Sequence, residues 1–239
     1  MSLPFRFFAA LAPLLLLSAC LLTPGKFDST LDIRKDGAFT FTYKGQVKAV
    51  DPSAGLKDIG KDSGNSPDGA TDKDAVYMPV AASKEGEDAD RATKLRAIAA
   101  ALSKEKDFRS ARYVGGDTIE VDYAISGRLD HSFVFPFNID AEAVFPFVAI
   151  EVRNDGKVRV QAPGFGSSSG SDKAGGLGGM GGDKAEGREG TFTLTTDAEI
   201  VSQNQEDGST TTPQGKRIVW KVTPLTKTAP MAVLKLGGA

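Results

Sequence analysis

Alternation of apolar and polar residues with a period of two is the feature that most constrains how this chain folds. Phe39, Phe41 and Tyr43 alternate with threonines, and the same pattern recurs over residues 119–125 and 148–152. A period of two places the apolar side chains on one face of a strand and the polar ones on the other. The pattern therefore predicts strands that bury one face and leave the other in water.

Turn residues between these strands predict two hairpins. Asp36-Gly37 separates the two halves of residues 31–43, and Asn154-Asp155-Gly156 separates Val148–Val152 from Val158–Val160. Asn-Gly and Asp-Gly pairs are typical of tight connections between antiparallel strands. Further strands are predicted at residues 133–137, 192–200, 218–222 and 233–236. Together these segments favour a mostly antiparallel, curved β-sheet.

One amphipathic helix interrupts the strands. From Asp90, a suitable N-cap, to about Lys106, apolar residues recur at spacings of three and four, namely Ala92, Leu95, Ile98, Ala99 and Leu102. The stripe is narrow and its flanks carry both charges, which favours packing on the sheet over lying on a membrane. The fold class is therefore predicted as α+β with one main helix. A sheet curled over the helix, which would leave an apolar cavity, and two stacked sheets both remain open.

Two long segments are predicted to be disordered loops. Residues 51–87 are rich in Asp, Gly, Ser, Pro and Lys, and residues 164–190 are dominated by Gly and Ser. Neither segment has enough apolar side chains to offset the entropy of ordering it. We expect flexible segments at 51–87 and 164–190 within a single domain of residues 20–239.

The first 19 residues have the pattern of a signal peptide. Arg6 precedes an apolar run from Phe7 to Leu17, and the small residues Ser18 and Ala19 follow. A helix of that run is ~16 Å long and is too short to cross a hydrocarbon core of about 30 Å. The pattern predicts cleavage after residue 19.

Leu17-Ser18-Ala19-Cys20 resembles the lipobox of bacterial lipoproteins. The resemblance implies that the Cys20 thiol receives a diacylglycerol and that Cys20, further acylated by a fatty acid such as palmitate, becomes the N-terminus. Several acyl chains hold a protein firmly at a membrane. Inner-membrane lipoproteins of this class typically carry Asp after the cysteine. Leu21 and Leu22 stand there instead, so the resemblance favours the outer membrane, with the domain facing the periplasm.

Composition narrows the chemistry. Removing residues 1–19 takes away Arg6 and no acid, so the net charge falls from −2 to −3 and no basic field favours nucleic acid. Cys20 is the only cysteine and His131 the only histidine, which excludes a disulfide and the usual zinc and copper ligand sets. Ser168 lies in a Gly-x-Ser-x-Gly pattern without a following helix. We therefore expect no enzyme, no metal and no cofactor.

Five phenylalanines within fifteen residues are the most unusual local feature: Phe133, Phe135, Phe137, Phe145 and Phe147. They are candidates for the core, and prolines among them place some rings at a sheet edge, where they could line a cavity or rim for an apolar ligand. The first functional hypothesis is thus a membrane-anchored, non-enzymatic envelope lipoprotein that binds an apolar ligand or envelope lipid. The alternative is a structural or protein-interaction lipoprotein whose core is filled and whose partner is another envelope protein.

The C-terminal residues, at 195–208, 215–222 and 231–236, resemble the ending of LppM-like lipoprotein domains, with an Asn-containing turn and a tryptophan strand. The resemblance implies an α+β domain with a curved sheet and an envelope role linked to lipid or glycolipid binding. It implies no catalytic residue. The Gly-rich insert at 164–190 departs from the family pattern.

Overall fold

A computed structural model describes residues 21–50, 84–136, 146–167 and 187–237 of the protein. These residues form twelve strands, one α-helix and a short 3₁₀ turn at Pro163–Phe165. The strands and the helix are β1 Leu21–Ile33, β2 Ala38–Val50, α1 Lys84–Leu102, β3 Phe108–Gly115, β4 Thr118–Arg128, β5 Phe133–Phe135, β6 Val148–Val152, β7 Lys157–Gln161, β8 Glu189–Thr196, β9 Glu199–Gln203, β10 Thr210–Thr212, β11 Gly215–Val222 and β12 Met231–Lys235.

The strands divide into two sheets. The larger has seven strands in the order β10-β11-β8-β1-β2-β4-β3, and the smaller has five in the order β5-β6-β7-β12-β9. All neighbouring strands are antiparallel except β1 and β8, which pair in parallel. The predicted α+β class with mostly antiparallel strands and one main helix is confirmed. Of the two arrangements that the sequence left open, one curled sheet or two stacked sheets, the chain adopts the second.

Both predicted hairpins are confirmed. β1 and β2 pair from Leu21 opposite Val50 to Ile33 opposite Phe39, around the turn at Asp36-Gly37. Gly37 has a φ of 85°, a left-handed conformation that glycine adopts without steric cost. β6 and β7 pair around the turn that contains Gly156. In β2 the predicted inward face is buried, and its threonines face outward.

Aromatic rings fill the space between the two sheets. Tyr43 of β2 contacts Phe135 of β5 with 5.2 Å between ring centroids, and Phe27 of β1 stacks on Phe165 at 4.2 Å. Six of the largest side chains in the core are aromatic, and each is at most 2 % exposed: Tyr43, Phe41, Phe135, Phe147, Phe165 and Phe192. The sheets are therefore stacked through a layer of rings rather than separated by a cavity.

The helix starts earlier and ends earlier than predicted. It covers Lys84–Leu102 instead of 90–106, so Asp90 lies inside it and is not its N-cap. The residues from Lys84 to Asp88 contain no large apolar side chain, so the spacing of apolar residues could not reveal these first turns. Leu95 and Ala99 of the predicted stripe are buried where α1 packs on β3 and β4.

The boundaries of the two predicted flexible segments also need correction. Residues 84–87, assigned to the first segment, belong to α1. At the ends of the second segment, Phe165 is fully buried and Arg188 is 7 % exposed. Glu189 and Gly190 already belong to β8. The inner parts, residues 51–83 and 168–186, lie outside the described residues.

Candidate functional site

Of the five candidate phenylalanines, the structure places Phe135 and Phe147 in the core. Phe135 is 2 % exposed and Phe147 is 0 % exposed, while Phe133 is half-buried on β5. Phe137 and Phe145 lie outside the described residues. The interpretation of these rings as core therefore holds for Phe135 and Phe147, and only Phe133 retains accessible surface.

Phe135 is enclosed by other rings. Its centroid lies 4.6 Å from Tyr123, 5.1 Å from Phe41, 5.2 Å from Tyr43 and 5.9 Å from Phe147. Separations of 4.5–7 Å are those of aromatic pairs in direct contact. A ligand could enter this layer only by displacing rings that already contact one another.

Two tyrosines in this layer are kept neutral by burial. The Tyr43 hydroxyl donates a hydrogen bond to the Gln46 carbonyl at 2.8 Å, and burial raises its pKa far above the ordinary value. Burial, helped by the negative charge of Asp107, raises the pKa of Tyr123 to about 12. Neither hydroxyl is a base or nucleophile at neutral pH, because each holds its proton more tightly than a tyrosine in water.

A surface depression of about 310 Å³ lies at the end of the molecule that carries the β1–β2 turn. It is lined by Lys35, Asp197, Ala198, Glu199, Lys235, Leu236 and Gly237. The Asp197 carboxylate already accepts a hydrogen bond from the Lys35 backbone N–H at 2.7 Å. Four of its seven lining residues are charged, and the depression is open to solvent, whereas the ligand-binding hypothesis requires an enclosed apolar cavity.

The opposite end of the seven-stranded sheet is where the chain emerges from its first 20 residues. We call it the β1 end and define it by Leu21–Thr23, Lys48–Val50 and the β3–β4 connection at Val114–Thr118. Leu21 pairs with Val50, and Thr118 of β4 pairs with Lys48. Regular strand pairing is therefore present at Leu21, the first described residue, which follows Cys20.

The helix is fastened to the β1 end through Arg91. Its guanidinium donates to the Ala49 carbonyl at 2.7 Å and forms an ion pair with Asp117, with 2.6 Å between Nε and Oδ1. The Ala49 N–H donates to the Asp117 carbonyl at 2.8 Å. These contacts join α1, β2 and the β3–β4 turn, so the parts of the β1 end are held in fixed positions relative to one another.

The outer side of the seven-stranded sheet carries rows of hydroxyl groups. Thr30 and Thr42 are hydrogen-bonded across β1 and β2 at 2.7 Å, and Thr40 and Ser126 across β2 and β4 at 2.8 Å. Thr193 of β8 pairs with Thr30 on the other side. We call these five residues the hydroxyl face. It presents a regular polar surface. The alternating pattern predicts that these residues face solvent but not that their hydroxyl groups form hydrogen-bonded pairs across the strands.

Arg188 is a buried cation that the sequence analysis missed because it lies in a segment assigned to a loop. Its guanidinium donates to the carbonyls of Gly166 at 3.0 Å and Thr226 at 3.2 Å, and its Nε has no hydrogen-bond partner. Burial lowers its pKa. Arg188 thereby ties the two described ends of the Gly-rich segment to the β11–β12 connection.

The other candidates for chemistry or membrane attachment are the single histidine, Ser168, groups of possible metal ligands, apolar helices and Cys20. His131 is exposed beside Asp130, and Ser168 of the Gly-x-Ser-x-Gly pattern lies outside the described residues. In the part of the chain that the structure describes, no group of three or more His, Cys, Asp or Glu side chains could hold a metal. Within those same ranges, no helix is long and apolar enough to span a bilayer. Cys20 precedes the first described residue.

Neither a protein-family model nor a curated protein sequence matches the chain. Among solved structures, the chain is similar to the NMR structure of the folded domain of the LppM protein of Mycobacterium tuberculosis. The two are 13 % identical with a TM-score of 0.37, over 91 % of this chain and 93 % of that chain. At that TM-score the likeness says nothing about a site, so the chemistry above is taken from this chain's own residues.

Proposed function

We propose that this protein is a non-enzymatic lipoprotein of the cell envelope, attached to a membrane through Cys20, and that it acts through contacts of its surface. The observation that carries the proposal is the lipobox-like Leu17-Ser18-Ala19-Cys20 at the end of an apolar run. The fold supports it in that Leu21, which directly follows the proposed new N-terminus, is paired with Val50 in the β1–β2 ladder. The outer membrane, with the domain facing the periplasm, is the proposed location because Leu21 and Leu22 follow the cysteine.

The packed interior favours the structural or protein-interaction role over the ligand-carrier role. A carrier needs a pocket that encloses most of its ligand, whereas Phe135 and Phe147 are surrounded by other side chains of the core. The hydroxyl face, by contrast, offers a regular surface of hydrogen-bonding groups. We therefore assign the partner contact to this surface and take another envelope protein as the partner.

Replacing Cys20 tests the anchorage. We expect wild-type protein in the membrane fraction, with an intact mass that includes acyl chains, and Cys20→Ser in the soluble fraction without them, because the acceptor thiol is gone. Ser18→Ala is the matched control, since it exchanges one small residue for another and should leave both readouts unchanged. A membrane-bound Cys20→Ser protein would refute the anchorage.

A second candidate function, binding of an apolar ligand, is favoured by one observation. Phe133 is half-buried on the edge strand β5 and packs on Phe39 at 5.4 Å between ring centroids. Native mass spectrometry of the purified protein, followed by lipid extraction, separates the two functions. The interaction role predicts an unliganded mass. Co-purifying lipid that is lost in Phe133→Ser would establish the carrier role instead.

A further inference from the structure

We propose that the β1 end rests directly on the surface of the bilayer, with no flexible tether between lipid and fold. The inference rests on the lipid attachment proposed at Cys20. Adjacent Cα atoms are about 3.8 Å apart, so the acylated residue lies one such step from Leu21. Leu21 is already paired with Val50 in the β1–β2 ladder. The lipid therefore enters the fold at the end of a paired strand.

Strand pairing fixes which other residues reach the bilayer. Lys48 of β2 pairs with Thr23 on one side and with Thr118, the first residue of β4, on the other. Neighbouring strands are about 4.8 Å apart, so the start of β4 lies within ~10 Å of β1 across the sheet. The β3–β4 connection thus stands beside the lipid attachment point, and Arg91 and its ion pair with Asp117 hold it there.

The chemistry of this end suits a lipid surface without requiring anionic lipid. Val114, next to the β3–β4 turn, is 48 % exposed, one of the few large apolar side chains so exposed among the described residues. Arg91 is paired with Asp117, and Asp88 and Asp90 in the first turns of α1 are exposed. Because acids accompany the bases here, electrostatic attraction contributes little, and we expect the same contact with zwitterionic phosphatidylcholine vesicles.

The far end of the molecule provides a matched reference position. Asn154, in the β6–β7 turn, is exposed. The Gly156 carbonyl of that turn accepts from Leu236 N–H at 3.0 Å, and the next residue, Gly237, donates to the Lys35 carbonyl at 2.9 Å beside the β1–β2 turn. β1 has 13 residues, so this end lies about 40 Å from the β1 end along the strands.

The experiment uses the absence of any cysteine besides Cys20. In the full-length lipidated chain, Val114→Cys and Asn154→Cys each provide one free thiol for an environment-sensitive fluorophore. In phosphatidylcholine vesicles that contain a lipid with a headgroup quencher, we expect strong quenching and a blue shift for the label at 114 and neither for the label at 154. Equal quenching at both positions, or none at 114, would overturn the proposal.

A variant with a longer linker tests whether the short tether is what holds residue 114 at the bilayer. A Gly-Ser insertion of about ten residues between Cys20 and Leu21 adds ~17 Å of average reach. We expect this variant to remain on the vesicles while the label at 114 loses its quenching, and retained quenching would contradict the tether argument. Sedimentation with vesicles and the intact mass are recorded for every sample. A protein without acyl chains that fails to sediment would instead count against the lipid attachment at Cys20.

Discussion

Asn204 joins the two sheets at the C-terminal side of the fold, and its removal gives the sharpest test of how the sheets are held together. Its Oδ1 accepts from the Trp220 Nε1–H at 3.1 Å and from the Met231 N–H at 2.9 Å. Its Nδ2 donates to the Ala229 carbonyl at 2.7 Å. Trp220 belongs to the seven-stranded sheet and Met231 to the five-stranded one. One amide group therefore binds both sheets.

The expected cost of Asn204→Ala follows from the partners it leaves behind. Three polar groups lose their partner, and each neutral hydrogen bond contributes about 0.5–1.5 kcal/mol to stability. Trp220 is 8 % exposed, so water cannot easily replace the bond to its indole, whereas Asn204 is half-buried and water can reach part of the site. We expect Asn204→Ala to lower the free energy of unfolding by about 2–3 kcal/mol.

Urea unfolding, followed by circular dichroism, measures this loss. Asn204→Asp is the matched control: it keeps the acceptor oxygens but loses the donor to Ala229, so we expect a smaller loss than for Asn204→Ala. A double-mutant cycle with Trp220→Phe isolates the indole bond, for which we expect a coupling of about 1 kcal/mol. A loss below about 0.5 kcal/mol for Asn204→Ala would show that water replaces all three bonds, and the joining role would then be refuted.

Two further stability predictions concern buried titratable groups. Burial raises the pKa of Tyr123 from 10.0 to about 12. Between these two pH values the tyrosine ionises in the unfolded chain but not in the folded one. The free energy of unfolding therefore falls by about 1.4 kcal/mol for each pH unit in this range. In Tyr123→Phe, the urea midpoint should therefore decline less steeply between about pH 10 and pH 11.5, and its pH dependence below pH 9 should be nearly that of wild type. An unchanged decline above pH 10 would contradict the raised pKa of Tyr123. Arg188→Met and Arg188→Lys should each lower the free energy of unfolding by about 1–3 kcal/mol, because Met has no donor and Lys has one nitrogen in place of the two that separately bind the Gly166 and Thr226 carbonyls. Stability equal to wild type in urea unfolding would show that these bonds contribute nothing.

Local pattern predicted the strands that bury one face. In β4, Ile119, Val121 and Tyr123 are buried and the residues between them are not, as the alternation indicates. The edge strand β3 was missed because its half-buried face carries few large apolar residues, and a register shift between Phe108 and Ser110 breaks the period of two before Ala111 and Tyr113. A strand is therefore predicted from its pattern where the alternation is unbroken and the inward residues are strongly apolar.

The local sequence pattern does not show to which of the two sheets a strand belongs. Residues 192–200 alternate as if they formed one strand, yet the chain passes from the seven-stranded to the five-stranded sheet between Thr196 and Glu199. The parallel pairing of β1 with β8 joins residues more than 150 positions apart. Whether Phe135 lines a cavity or fills a core depends on such distant pairings, because Phe41, Tyr43 and Tyr123 from the other sheet are the side chains that enclose it. The phenylalanine cluster was therefore visible in the sequence, and its surroundings were not.

The proposed short tether has a consequence for what the hydroxyl face can contact. Thr30 lies nine residues after Leu21 on β1, so with the strands upright it stands about 30 Å above the bilayer surface. Thr42 and Thr193 share its level, because both pair with it across the sheet. A short lipid headgroup cannot reach that height. A partner of the hydroxyl face must itself extend about 30 Å from the membrane, which a folded envelope protein does and a bilayer phospholipid does not.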